Sequence, residues 1–335
     1  MPPVPSSMLV DVVLDGIQQS GAAGYFESDS DSLHPRRFFV DHLDNGFSVW
    51  VYVWNLTHGG RETLPNEYRI QMTSVDSPLA INPNGYTVLM GYYSDMCMFA
   101  GFDLVKHRNF TAGSPSIQID ISALHRALQT GLSFHHKSND EIAVGVRPDQ
   151  MVNYIVSSSI LHTHGADEEV KDLLDSAVDP SRVVSPAIEQ LSTERRQIVT
   201  NVSRYVRDGN FRLAVLNAYD NRCAVTKAQM KLVDAAHILP VQAEGSSDHV
   251  SNGIALSPTL HRAYDRGLIY LDCDLSMRIN EEKASQLANE GLDAGLASLR
   301  GLLDNSIYLP LDVDQRPRPE VVVQANTYRR IPGYT

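Results

Sequence analysis

The stretch that decides the fold spans residues 223–268 and reads CAVTKAQMKLVDAAHILPVQAEGSSDHVSNGIALSPTLHRAYDRGL. An apolar run around His237 predicts a strand, which Pro240 ends. A loop rich in glycine, serine and aspartate follows, and Asn252 then opens a second short strand. The order so far is strand, loop, strand, with a histidine on the first strand and an asparagine at the start of the second.

A helix completes the pattern. Ser257 is a good helix N-cap residue and Pro258 suits the first turn, so the chain should be helical until Gly267 ends it. His261 lies inside this helix. The stretch therefore predicts a small unit of two strands and one helix, in which each element contributes one polar side chain.

This unit resembles the HNH nucleases, which have the ββα-metal fold, in the subtype whose motifs read CAVTG, AAHI, NGI and H..FD.GL. The present chain reads CAVTK, AAHI, NGI and HRAYDRGL at the corresponding places. The resemblance extends from residue 210 to residue 271 and includes a preceding helix at 211–219. It leaves the first half of the chain uncovered.

The resemblance implies phosphodiester hydrolysis. That reaction needs an activated water and a cation that offsets negative charge on the phosphate and the leaving oxygen. By resemblance, His237 is the general base, Asn252 braces the loop that orients it, and His261 binds the metal. The implied cofactor is one divalent metal ion, with Mg2+ expected in the cell and Mn2+, Ni2+ or Zn2+ compatible with an imidazole ligand.

Ala236 departs from the family pattern, because many members have an acidic or histidine ligand just before the base. Two residues are candidates to replace that ligand. Asp234 is two positions away, on the same face of an extended strand, whereas Asp265 lies one turn after His261 on the helix. We predict Asp234 and His261 as the core metal pair, with Asp265 as a third ligand or a partner of that pair.

Each of these residues has an ordinary interpretation when taken alone. A histidine in an apolar strand is usually a satisfied core residue, and Asn252 with Gly253 is typical of a tight turn. Asp265 would simply pair with a neighbouring arginine. The combined spacing favours the nuclease, although Ala236 keeps open a non-catalytic DNA-binding protein with a degenerate HNH fold.

The whole chain has 335 residues, 43% of them hydrophobic and 20% charged, which is typical of a globular protein with room for two domains. It contains no apolar run of membrane-spanning length, and its first residues lack the features of a signal peptide. Three scattered cysteines favour neither a disulfide framework nor a four-cysteine zinc site. We therefore expect a cytoplasmic protein with no membrane partner.

The net charge of −12 is unfavourable for binding DNA, because the phosphate backbone repels an acidic surface. Basic residues nevertheless crowd around the motif, namely Arg204, Arg207, Arg212, Arg222, Lys227, Lys231, Arg262 and Arg266. The four that we predict to contact DNA are Arg222, Lys231, Arg262 and Arg266. The alternative is that these are ordinary solvated surface charges.

Residues 1–165 contain several short runs of alternating apolar and polar positions, which predict a β-rich, barrel-like domain with peripheral helices. Asn45 and Gly46 are predicted to form a turn between two of its strands. Its basic and aromatic residues would suit phosphate contacts and base stacking, although solvated arginines and core aromatics are the more ordinary interpretation. The residues concerned are Arg36, Arg37, Arg61, Arg69, Lys106, His107, Arg108, Trp50, Trp54, Tyr92 and Tyr93.

Residues 166–200 predict a helical linker, and residues 201–335 a nuclease domain with a further helix at 281–303 and an extended tail. The predicted fold class is α+β: a β-rich recognition domain, a helical linker and a C-terminal ββα-metal domain. We predict a metal-dependent DNA endonuclease, with a restriction enzyme as the leading interpretation. Its first domain would recognise a sequence or a modified base in double-stranded DNA.

A ligand-gated defence nuclease, switched on by a small signalling molecule, is an alternative that the acidic charge also suits. The sequence fixes neither the target site nor the number of chains in the active protein, so a homodimer stays open.

Overall fold

The computed structural model describes residues 3–27, 33–42, 45–111, 113–137, 139–164, 193–303 and 306–334. They fall into two units, Met1–Gly209 and Asn210–Thr335. Most of the predicted helical linker at 166–200 lies outside the described residues. The predicted domain limits at 165 and 200 therefore stay predictions.

Ten strands are described in the first unit, numbered in chain order: β1 Ala23–Glu27, β2 Arg36–His42, β3 Asn45–Asn55, β4 Thr57–His58, β5 Glu67–Gln71, β6 Gly85–Tyr93, β7 Met98–Phe102, β8 Ser116–Asp120, β9 Leu132–His136 and β10 Ile142–Val146. Seven of them form one sheet in the order β1-β2-β3-β6-β7-β10-β9, and the other three form a sheet in the order β4-β5-β8. Neighbouring strands are antiparallel except for β3 and β6, which are parallel. The predicted α+β class is confirmed, and the described strands form an open sheet that does not close into a barrel.

Among the described residues, four helices accompany these sheets, numbered α1 Met8–Gln19, α2 Leu104–His107, α3 Ile121–Thr130 and α4 Met151–His164, with a 3-10 turn at Pro148–Gln150. The large sheet packs against other elements on both faces. Since successive side chains of a strand point to opposite sides, one strand contributes to two cores. In β3, Val49, Val51 and Val53 belong to one core, whereas Tyr52 and Trp54 belong to another. The first core includes residues of α1 and α4, and the second includes residues of the small sheet and α3.

The predicted turn at Asn45 and Gly46 is wrong. Both residues lie in β3, where they pair with His42 and Asp41 of β2. A side chain at Gly46 would collide with the ring of Phe39, because an added Cβ would lie 2.4 Å from its Cζ atom. Gly46 therefore allows the Phe39 ring to pack against the backbone of β3, and it does not form a turn.

A 26-residue helix, α5 Thr193–Ala218, precedes the motif. The second unit then contains β11 Asp234–His237, a 3-10 turn Val250–Asn252, β12 Gly253–Leu256, α6 Pro258–Asp265, β13 Ile269–Leu271, β14 Met277–Ile279, α7 Glu281–Asn289, α8 Leu296–Leu303, a 3-10 turn Val313–Gln315 and α9 Pro319–Tyr328. The predicted strand, strand, helix order of the motif is present.

The prediction of one long helix near the end of the chain is wrong. The single helix predicted at 281–303 is two helices, α7 and α8, separated by a segment in which Gly291 and Gly295 have φ angles of +71° and +92°. Such angles suit glycine and interrupt a helix. The predicted extended tail is followed by α9, which begins at Pro319, a residue that suits the first helical turn.

None of the described helices combines the length and apolar character that a membrane span requires. Of the three cysteines, Cys223 is buried, Cys97 and Cys273 are exposed, and all three are free thiols.

Candidate active site

The site is built on β11 and β12, which pair in antiparallel register with His237 opposite Gly253 and Ala236 opposite Ile254. Ala236 is fully buried, so the position that many HNH proteins use for a ligand faces the core here. Gly253 permits a close approach of helix α5, because an added Cβ would lie 2.2 Å from a methyl carbon of Val215. The glycine that follows the motif asparagine thus has a packing role.

His237 is held on two sides. Its Nε2 atom lies 2.9 Å from Oδ1 of Asp248, in the loop after β11. Its ring stacks on that of Phe211 from α5, with centroids 3.7 Å apart and planes 13° apart. The side chain of His237 is 17% exposed, so the ring stays accessible while its orientation is restricted.

Asn252 is 2% exposed and ties the loop to the end of β11. Its Oδ1 accepts a hydrogen bond from the backbone N–H of Leu239 at 2.8 Å, and its Nδ2 donates to the Leu239 carbonyl at 3.1 Å. The same Nδ2 also lies 2.8 Å from the carbonyl of Ser247 and 3.3 Å from Oγ of Ser246. The asparagine therefore fixes the path of the loop that carries Asp248.

Asp234, at the start of β11, lies between a histidine and an arginine. Its Oδ2 is 3.6 Å from Nδ1 of His261, and its Oδ1 accepts a hydrogen bond from Arg212 at 3.1 Å. The other ring nitrogen of His261 is 3.3 Å from Asp265. The neighbouring imidazole of His261 and the guanidinium of Arg212 lower the pKa of Asp234 against the opposing effect of burial, which keeps this carboxylate charged.

The chemistry of Asp234 and His261 fits a divalent metal ion, because carboxylate oxygen and imidazole nitrogen are both common ligands. The two nitrogens of His261 face different carboxylates. One ion on a single ring nitrogen therefore uses either Asp234 or Asp265, and the two acids represent alternative sites. Within the described ranges, no group of three or more His, Cys, Asp and Glu side chains has the arrangement that would hold a metal ion.

The residues predicted to contact DNA lie at or near the surface of the second unit. Arg222 is half-buried and pairs with Asp220 at 3.0 Å, whereas Lys231, Arg262 and Arg266 are exposed. Their role on DNA stays a prediction. Arg212, from the same basic group, instead bonds to Asp234.

In the first unit, several candidate DNA-contacting residues are structural. Trp54 and Tyr92 are buried in its cores. Arg36 is 4% exposed and donates to the carbonyls of Val53 and Ser6. These three residues therefore have structural roles, which is the ordinary interpretation of such residues.

Sequence reasoning missed three side chains that shape the site. Phe211 belongs to the resembling segment but carries no chemical signal, and Asp248 lies in a loop without periodicity. Arg329 lies in the tail, where its guanidinium donates to the carbonyls of Ile238 and His237 at 2.5 and 3.3 Å and lies over the ring of Tyr264. Only the folded chain brings these residues to β11.

Comparisons with known proteins find two matching family models. Residues 223–272 match the family model described as HNH endonuclease, and residues 47–155 match the one described as Methylase-associated X1. No curated protein matches the sequence. A solved structure titled "Modification dependent TagI restriction endonuclease" aligns over 85% of this chain and 84% of its own, with 12% identity and a TM-score of 0.27, which is too low to indicate a shared fold.

Proposed function

We propose that the protein is a metal-dependent DNA endonuclease of a restriction system, because residues 223–272 match the family model described as HNH endonuclease. The observation that supports this most strongly is the joint placement on β11. Asp234 at one end of the strand meets His261, and His237 at the other end is held by Asp248 and Phe211. A metal-ligand pair and a general base are the two elements that phosphodiester hydrolysis needs.

His237 acts as the general base and takes a proton from the attacking water, while Asn252 keeps the loop after β11 in place. Hydrolysis in line with the departing 3′-oxygen leaves 5′-phosphate and 3′-hydroxyl ends. Three exposed basic residues, Lys231, Arg262 and Arg266, together with Arg222, are assigned to the DNA backbone. Their positive charges offset the unfavourable net charge of −12 near the site.

His261 and Asp234 would hold the metal ion, with Asp265 as the alternative partner of His261. HNH nucleases use a divalent ion, and Mg2+ is the ion that we propose for the cell. When bound, the ion offsets the charge that develops on the phosphate and the leaving oxygen. Arg212 keeps Asp234 ionised and oriented, so a charged ligand is ready before the ion arrives.

The restriction role rests on the first half of the chain. Its family is described as methylase-associated, and a nuclease that works beside a methylase must distinguish modified from unmodified DNA. We assign residues 1–165 to DNA recognition, residues 166–200 to a helical linker and residues 201–335 to cleavage, in a cytoplasmic protein whose number of chains stays open.

Digestion of matched plasmids tests the proposal. Unmodified, methylated and hydroxymethylated copies of one plasmid should be incubated with the full chain and Mg2+ or Mn2+. We expect cleavage that stops with EDTA and that differs at least tenfold between the modification states. Metal-dependent cleavage without such a difference would retain the nuclease and remove the recognition role, and no cleavage of any plasmid would contradict the proposal.

The ligand-gated nuclease has one specific observation in its favour. A cavity of about 620 Å³ in the first unit is lined by side chains of both charges, among them Glu67, Asp120, His135 and Lys137. Such a lining suits a small polar molecule. If the full chain cuts all plasmids poorly and a small-molecule extract of infected cells accelerates cleavage at least tenfold, the gated nuclease is the better description.

A further inference from the structure

Asp248 has no task in the reaction as described so far, yet it binds the ring of the proposed base. Its Oδ1 lies 2.9 Å from Nε2 of His237. We propose that Asp248 is a positioning residue, which holds His237 in the tautomer whose Nδ1 accepts the proton from water. This inference rests on the proposed function of His237 as the base.

The tautomer follows from donor and acceptor chemistry. An ionised carboxylate only accepts hydrogen bonds, so the Nε2 atom that faces Asp248 must carry the proton. A neutral imidazole has one N–H, and its lone pair is then on Nδ1. Within the described residues, Nδ1 of His237 makes no hydrogen bond to protein. It is therefore the nitrogen that can meet a water molecule.

The orientation of the ring is fixed by two different contacts. The stack on Phe211 sets the plane of the imidazole, and the bond to Asp248 sets its rotation within that plane. The Asp248 side chain is 27% exposed, so this bond is partly shielded from water. A preoriented base raises the rate because less ordering is needed in the transition state.

The loop that carries Asp248 is itself held by the motif asparagine. Asn252 donates to the carbonyl of Ser247, the residue just before Asp248, and to Oγ of Ser246. Oγ of Ser246 in turn donates to the carbonyl of Leu239 at 3.0 Å. Asn252 thus orients His237 indirectly. It holds the loop, and Asp248 of that loop bonds to the imidazole ring.

The carboxylate also affects the charged form of the base. When His237 has taken the proton, the imidazolium lies against the Asp248 anion, which stabilises it. Arg329 also contacts His237, but it donates to the backbone carbonyl and not to the ring. Loss of the Asp248 charge should therefore destabilise the protonated form of the base.

The test uses the full-length Asp248→Asn variant, followed by plasmid cleavage with Mn2+ across a pH series. We expect kcat to fall by about 10²- to 10⁴-fold with little change in KM, since an asparagine can donate to Nε2 and favour the wrong tautomer. The acidic limb of the pH profile, where the cleavage rate falls as pH is lowered, should move to lower pH. Asp248→Glu, which keeps the carboxylate, should recover at least a tenth of the wild-type rate.

A matched control comes from the same loop. Glu244 is exposed, so Glu244→Gln removes one negative charge without touching the base. It should leave the rate and the pH profile unchanged. An unmoved acidic limb in Asp248→Asn, or an equal shift in Glu244→Gln, would overturn the proposal.

A second measurement separates this inference from the proposed activity. Imidazole 15N chemical shifts of the full chain labelled at histidine report the tautomer directly, with His237 assigned by its loss in His237→Ala. We expect the Nε2–H form in the wild type and a larger share of the Nδ1–H form in Asp248→Asn. The Nδ1–H form in the wild type would reject the positioning role even if DNA is cleaved, whereas the Nε2–H form in a protein that cuts no DNA would reject only the nuclease reaction.

Discussion

The two ends of strand β11 have opposite chemistry although they are three residues apart. At the first end a carboxylate, Asp234, is surrounded by an imidazole and a guanidinium. At the other end an imidazole, His237, is held by a carboxylate and an aromatic ring. This difference supports the proposal that the first end binds a metal ion and that the second end takes up a proton.

The accessibility of the two ends follows the same division. Asp234 and His261 are 34% and 27% exposed, whereas His237 is 17% exposed. A metal site needs open positions for water and phosphate oxygens. A base needs a fixed ring and one free nitrogen. We therefore expect substitutions at the two ends to differ in the loss of cleavage rate and in the Mn2+ requirement.

Removal of the base should have the largest effect. We expect His237→Ala to lower the cleavage rate by about 10²- to 10⁴-fold, because general bases contribute this much, while folding and DNA binding persist. Single-turnover cleavage of a plasmid measures the loss. His125→Ala, at an exposed position of α3, is the matched control and should cut at the wild-type rate. A His237→Ala variant with more than a tenth of wild-type activity would show that another group is the base.

The metal end should discriminate between its two acids. Partners of metal ligands typically contribute about 10- to 100-fold. We expect Asp234→Asn to lower the cleavage rate by more than this, and Asp265→Asn to lower it by no more than this. A Mn2+ titration of cleavage in each variant makes the comparison, with Mn2+ binding followed by calorimetry as a second readout. The reverse order would place the ion between His261 and Asp265, and wild-type behaviour of both variants would remove the carboxylate from the metal site.

The aromatic contact should contribute less than either polar group. Phe211→Leu keeps an apolar side chain but removes the ring that stacks on His237. Aromatic pairs contribute about 0.5–1.5 kcal/mol beyond burial, so we expect a rate loss of up to about tenfold. The Mn2+ dependence should be unchanged, because the substitution leaves Arg212 and Asp234 in place. An altered Mn2+ requirement would show that the two ends of β11 are coupled.

The smallest effect concerns stability and pH. The folded pKa of Asp234 is lowered, so its ion pair stabilises the protein above the ordinary aspartate pKa and is lost as pH falls through the folded pKa. Because the pair is about one-third exposed, its contribution is at most about 1 kcal/mol. Urea unfolding followed by circular dichroism should show Asp234→Asn slightly less stable than wild type at pH 7, with the difference shrinking toward pH 3. A difference that grows on acidification would contradict this account.

The motif half of the chain was predictable because its signals are local. His237, Asn252 and His261 lie on the expected elements, since proline, glycine and capping residues mark their limits in the sequence. Asp248, Phe211 and Arg329 were not found, because a loop acid, a helix aromatic and a tail arginine acquire meaning only when tertiary contacts bring them to β11. Gly46 misled the prediction for a related reason: its purpose is a cross-strand ring contact, which resembles a turn signal in the sequence.

Helix α5 has a practical consequence for dividing the protein into fragments. Val202 and Val206 complete the first core, and five residues later Phe211 belongs to the second. At 1.5 Å per residue, the 26-residue helix is about 39 Å long. A cut before Val202 would separate the first core from two of its residues, and a cut after Phe211 would separate the second unit from the ring that stacks on the base. Limited proteolysis of the native protein should therefore spare this helix.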